Sequence, residues 1–151
     1  MDSLGLIFAS RNQDYIKAIK KSFTDSGNCT VPGHLEKLCP SDAIVLNGTA
    51  IHGEDFDDTF EGTPVHVGSV MCSSLLTAAE YYELESKEIL KGLAVGSELM
   101  CRLALVSPMA IHKQGFHPTA ILGAFGASIG ISKILKNNVL QTTSSLGIVG
   151  S

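Results

Sequence analysis

Apolar residues recur along this chain at three- and four-residue intervals, and no stretch alternates polar with apolar long enough to predict a strand. From Asn12 to Phe23, Tyr15, Ile16, Ile19 and Phe23 share one helical face with three lysines opposite, and Gly27 marks the stop. Residues 28–38, which include Pro32 and Gly33, read as an irregular connection. Pro40 and Ser41 then open a helix in which Ala43, Ile44, Leu46, Ala50 and Ile51 predict burial. After the break at Gly62 to Pro64, Val67 to Leu84 carries Met71, Leu75, Leu76 and Ala79 on one side. Ser86 caps a further helix to Val106, with Ile89, Leu90, Leu93, Leu99 and Leu103 inward and Pro108 ending it. Pro118 starts another, which runs to about Leu135. The pattern predicts an all-α, helical-bundle-like domain over residues 1–151. From Val139 the chain runs apolar to its end with no capping base, so a truncated domain is expected.

Composition narrows the classes. With 44% hydrophobic and 17% charged residues in 151, the chain has the balance of a globular protein able to build a core. Its net charge of −4, without a basic run beyond Lys17, Lys20 and Lys21, excludes the footprint of a nucleic-acid binder. Cys29, Cys39, Cys72 and Cys101 form no CxxC pair and read as buried free thiols. Acidic Asp2 and the short apolar stretch from Leu4 to Ala9 do not make an export signal, which leaves the glycosylation-like tripeptides at Asn28 and Asn47 without meaning. The stretch from Thr119 to Leu135 is interrupted by Ser128, Ser132 and Lys133 and falls short of the ~20 residues a membrane helix needs. A soluble protein of the cytoplasm, or of mitochondria, is expected.

The densest polar cluster, His52-Gly53-Glu54-Asp55-Phe56-Asp57-Asp58-Thr59, follows an apolar helix directly. Continued helix would put Gly48, His52, Asp55 and Thr59 on one face and turn Asp57 elsewhere. Acids at a helix C-terminus oppose the dipole, so a functional reading outweighs a solvated helix end. His66, just after Pro64, and His117, locked by Pro118, each stand at a helix entrance, where backbone N–H groups favour an anion. His34 and His112 read as surface groups. Gly123, Gly126 and Gly130 read as close helix packing, since no strand precedes them to make a dinucleotide site.

Three metal readings compete and each is weak. Asp57-Asp58 with Glu61 imitates the aspartate-rich magnesium motif of helical isoprenoid synthases, but no second cluster exists and Arg11 and Arg102 are the only arginines to grip diphosphate. His52, Asp55, His66 and His117 suit a transition metal by chemistry but not by any known spacing. A calcium loop starting at Asp55 fails because Phe60 stands where glycine is needed.

Taken in order, Asn47-Gly48-Thr49-Ala50, His52, Asp55-Phe56-Asp57-Asp58-Thr59, His66 and Gly115-Phe116-His117-Pro118-Thr119-Ala120 with Gly123 resemble the MmgE/PrpD family. The similarity covers nearly the whole chain, beginning with Met1 to Gly5, which looks like the family's first core helix. The resemblance implies a helical domain followed by an α+β lid, usually in homodimers, with a catalytic lysine beyond Ser151. It implies cofactor-independent lyase or isomerase chemistry beside a carboxylate of a di- or tricarboxylic acid: 2-methylcitrate dehydration first, with cis-aconitate decarboxylation or iminodisuccinate epimerisation as alternatives. By the same resemblance Asp55, Thr59, His66 and His117 fall at active-site positions. On that basis His66, Asp55 and His117 are expected to be catalytic, with Thr59 and His52 binding substrate. His66 is expected to move the proton, His117 to hold a substrate carboxylate, and Asp55 to orient or tune a histidine. Asp57-Asp58 and His66-Val67-Gly68 depart from the dehydratase pattern of an asparagine in the acidic motif followed by His-Pro-Ser-Asp. A helical module without catalysis is the reading from a different class.

Overall fold

The computed structural model describes residues Met1–Ser151, two-thirds of them helical. Eight helices follow in chain order: α1 Asp2–Ser10, α2 Asp14–Ser22, α3 Pro40–His52, α4 Val67–Tyr81, α5 Ser86–Val106, the single turn α6 Ala110–Lys113, α7 Pro118–Ile134 and α8 Val139–Val149. The helix expected over Asn12 to Phe23 is α2, shortened at both ends.

Where the sequence predicts an irregular connection over residues 28–38, the chain forms a short antiparallel hairpin, β1 Ser26–Thr30 with β2 Lys37–Leu38. Its pairing is interrupted by an irregularity between Ser26 and Cys29, and each strand buries one residue, Cys29 and Leu38. A two-residue strand opposite a bulged one leaves too few alternating positions to read.

Two hydrophobic cores meet at α4. One gathers Ile7, Ile16, Cys29, Val31, Leu46 and Ile51 from α1, α2, the hairpin and α3. The other gathers Met71, Leu75, Met100, Ala104, Leu122 and Ile134 from α4, α5 and α7. The buried side of α4 is rich in hydroxyls, and these bond within the helix: Ser73 Oγ donates to Ser69 O at 2.5 Å and Ser74 Oγ to Val70 O at 2.6 Å. Small, internally satisfied side chains let α3 lie close, so that a Cβ on Gly48 would stand 3.3 Å from Ser73 Oγ.

The buried stripe of α5 differs from expectation. It runs through Gly92, Gly96, Met100 and Ala104, whereas Leu90 is exposed. Backbone contact with α7 explains the difference: a Cβ on Gly96 would lie 2.7 Å from Gly126 O, and one on Gly130 would lie 3.0 Å from Gly92 O. The glycine run of α7 is thus a packing seam, as expected.

Helix ends account for the remaining boundaries. After α4, Glu83 adopts a left-handed φ of 53° and Leu84 N–H returns to Ala79 O at 2.8 Å; after α7, Lys136 at φ 56° and Asn137 N–H to Ser132 O at 3.0 Å repeat the closure. Glu85, not Ser86, is the residue preceding α5. Asn138 and Gln141 form a reciprocal capping box at the start of α8. The cysteines are free, with Cys29 buried and the others half-buried. Asn47 is buried and its amide donates to Thr30 O at 3.2 Å, so that tripeptide is a structural one. No helix is long and apolar enough to cross a membrane.

Candidate active site

The helix that carries His52 does not continue through the acidic run. α3 ends at His52, Gly53 is its C-cap, and Asp55 N–H closes onto His52 O at 2.9 Å. Asp55 then takes a left-handed φ of 57°, a conformation aspartate tolerates better than most residues. This reversal brings Asp57 back under the end of α3. Asp57 therefore points into the cluster instead of away from it, and its side chain is 0% exposed.

Asp57 has two imidazoles for neighbours. Both of its carboxylate oxygens lie 3.1 Å from His52 Nδ1, and Oδ1 lies 3.3 Å from His66 Nδ1. His52 Nε2 in turn is 3.1 Å from His117 Nε2. Ring centroids stand 4.7 Å apart for His52 and His66, 5.2 Å for His52 and His117, and 6.0 Å for His66 and His117. Residues separated by as many as 65 positions thus meet as one cluster. A carboxylate removed from water must be paired to be tolerated, and here protein N–H groups pair it.

The residues expected from sequence divide into buried and open. His66 is 8% exposed. Asp55, with an 80% exposed side chain, touches the cluster only through Oδ1, 3.6 Å from His66 Nε2. Thr59 Oγ1 lies 3.4 Å from His66 Nδ1 and turns otherwise toward Asp57 O. Burial first, then the neighbouring His52 and His66, hold His117 below the ordinary histidine range, so it stays neutral near pH 7.

The two helix entrances are occupied differently. At α4, Gly68 N–H donates to both oxygens of Asp58, at 2.8 and 3.1 Å, so the anion seat expected beside His66 is filled by the protein itself. At α7, whose N-cap is His117, no side chain caps the helix. Thr119 ties the two entrances together: its Oγ1 accepts from His66 N–H at 2.9 Å and reaches Pro64 O at 3.5 Å.

Asp55, Pro64, His66, His112, Gly115, Phe116 and His117 line a groove of about 430 Å³ over the cluster. A second groove of about 590 Å³, lined largely by α3, α4 and α7, has His52 in its wall and meets the first at His117. His112 thus borders the candidate site as well as being exposed, while His34 is half-buried far from it against Lys20 Nζ at 3.3 Å. Donor atoms of His52, Asp55, Asp57 and His66 all lie within 4.8 Å of one another. That spacing would admit a transition ion, yet the same atoms already satisfy each other by direct contact.

Sequence reasoning missed Asp57, Asp58 and Thr119 as organising residues. The adjacent acids did carry a signal, since two consecutive carboxylates cannot face the same way in extended chain.

The arrangement can be set beside known proteins. Mouse cis-aconitate decarboxylase is 29% identical over 162 residues, covering 100% of this chain and 33% of the relative. The human cis-aconitate decarboxylase is 29% identical over 161 residues with the same coverage. The cis-aconitate decarboxylase-like protein oryM of Aspergillus oryzae is 28% identical over 134 residues, 83% of this chain and 28% of the relative. The chain therefore spans about a third of the length of these relatives. The family model for the MmgE/PrpD N-terminal domain matches residues 1–151, and with the histidine and aspartate motifs gathered at one groove, this chain belongs to the MmgE/PrpD family.

Proposed function

We propose that this domain supplies the acid–base groups of a lyase acting beside a carboxylate of a small di- or tricarboxylic acid, with decarboxylation of cis-aconitate as the favoured reaction. The carrying observation is the contact of His52, His66 and His117 in one cluster over buried Asp57, with His66 and His117 lining one groove and His52 and His117 the next. The relatives' names favour decarboxylation over the 2-methylcitrate dehydration and epimerisation that the resemblance also brings forward.

The chemistry follows from charge. When the bond to a carboxylate breaks, carbon dioxide leaves and its electron pair stays on the neighbouring carbon of an already anionic molecule, so positioned donors must stabilise it. His66 delivers the proton to that carbon. The Asp55 and Asp57 carboxylates lie on either side of its ring, at 3.6 and 3.3 Å. The uncapped N-terminus of α7, with His117 at its mouth, holds a remaining carboxylate of the substrate. Asp55 tunes His66 from the solvent side, Thr59 donates a hydrogen bond, and His52 borders the bound acid. Proton transfer and carboxylate binding need no metal in this scheme, and the full-length protein works as a homodimer.

The test is turnover by the full-length protein on cis-aconitate, 2-methylcitrate and iminodisuccinate, with and without EDTA. Release of carbon dioxide from cis-aconitate, undiminished by the chelator, is the expected result. No product from any of the three would favour a non-catalytic module and overturn the proposal.

A further inference from the structure

Asp57 poses a question that the proton-transfer scheme does not answer. Its side chain is sealed from solvent, so no substrate reaches it, yet it is the one carboxylate in contact with two of the three imidazoles. A lone pair of Nδ1 pointed at a buried carboxylate would be repelled, whereas an N–H there makes a charge-assisted hydrogen bond. The 3.1 Å approach of His52 Nδ1 to both oxygens therefore requires a proton on that Nδ1, while His66 Nδ1 lies 3.3 Å from Oδ1 and faces Thr59 Oγ1 at 3.4 Å. In a neutral ring this leaves Nε2 as the lone-pair atom.

The consequence passes to the third ring. His52 Nε2 lies 3.1 Å from His117 Nε2, and two nitrogens at that distance share one proton. With the His52 Nε2 lone pair exposed, the proton belongs to His117.

We propose that Asp57 is the positioning residue for the three rings: it seats against His66, holds His52 as the Nδ1–H tautomer, and through His52 keeps the His117 proton on Nε2. A carboxylate hydrogen-bonded to the far nitrogen of a working histidine commonly fixes its tautomer and orientation in this way. Asp58 supports the placement, because its anchorage to Gly68 N–H fixes the loop from which Asp57 descends. Asp55 is too exposed to play this part and contacts only His66, on the opposite nitrogen. The catalytic side of this inference rests on the acid–base reading above; the tautomer side does not.

Long-range nitrogen–proton correlation spectra of the imidazoles test it in this chain, at a pH where the rings are neutral. Free imidazole side chains favour the Nε2–H form, so Nδ1–H at His52, with Nε2–H at His117, is a signature that mere burial would not give. Asp57→Asn replaces two charged acceptor oxygens by one neutral carbonyl and a donating NH2, and His52 is expected to revert to Nε2–H, while Asp55→Asn leaves it unchanged. Should Asp57→Asn fail to fold, the unmodified chain still decides: Nε2–H at His52 overturns the proposal. In the full-length protein Asp57→Asn is expected to lower kcat about 10²-fold with little change in KM; an unchanged kcat would overturn the catalytic role. If the tautomers are as stated and no acid is turned over, the lyase reading fails and the tautomer assignment stands.

Discussion

Two helices of this domain begin on a histidine, and they begin in different chemical states. At α4 the entrance is closed: His66 is buried, Asp58 takes the Gly68 N–H, and Asp57 lies against the ring. At α7 the entrance is open: His117 is exposed, no side chain caps the helix, and a groove borders it. The same pair of features, histidine then helix, thus yields one ring held for proton transfer and one left to meet an anion. What separates them is not the helix but whether the protein has already spent the N-terminal charge on its own carboxylate.

The sharpest break in this comparison comes from exchanging function. His66→Gln in the full-length protein should lower kcat about 10³-fold, whereas His117→Gln should act mainly on KM, raising it by about tenfold, as steady-state kinetics would report. Equal effects on kcat from both would erase the distinction.

Thr119→Val attacks the link between the entrances. It leaves the buried His66 N–H without its acceptor at 2.9 Å, and a buried unsatisfied donor costs about 2 kcal/mol. Denaturant unfolding of this chain measures that loss; a change near zero would mean that the two entrances are held apart by other contacts.

Asp58→Asn opens the α4 entrance. Loss of the charged acceptor at Gly68 should cost about 1 kcal/mol in the same unfolding assay. The corresponding position cannot be repaired by filling space, since a Cβ on Gly68 would overlap Asp58 Oδ1.

The smallest effect is one of pH. Because burial and then its two histidine neighbours hold His117 below the ordinary value, the unfolded chain binds that proton more readily. The contribution of His117 to stability is therefore complete above about pH 6.5 and is lost as pH falls through the lower folded value. His117→Gln should flatten the stability curve between those limits, and His52→Gln should move the His117 titration upward.

Much of the frame was legible from periodicity, because α3, α4, α5 and α7 are long enough for apolar spacing to repeat. The hairpin was not, since its strands carry one buried residue each. Leucine content misjudged α5: Leu90 faces solvent because the glycine seam, whose residues have no apolar side chain to count, sets which side meets α7. In the site, His52, His66 and His117 were legible from their places at helix ends. Asp57 was not, because a left-handed residue at Asp55 reverses the direction in which the following side chains point, and spacing along an assumed helix cannot register that. Thr119 was invisible for another reason, as its partner His66 lies 53 residues away.

The account stands most directly on proton delivery to carbon by His66. Full-length protein turning over cis-aconitate in heavy water should place one solvent deuterium on the carbon that loses its carboxylate, and His66→Gln should abolish label and turnover together while His117→Gln keeps the labelling position. Undiminished labelling in the His66 variant would contradict it.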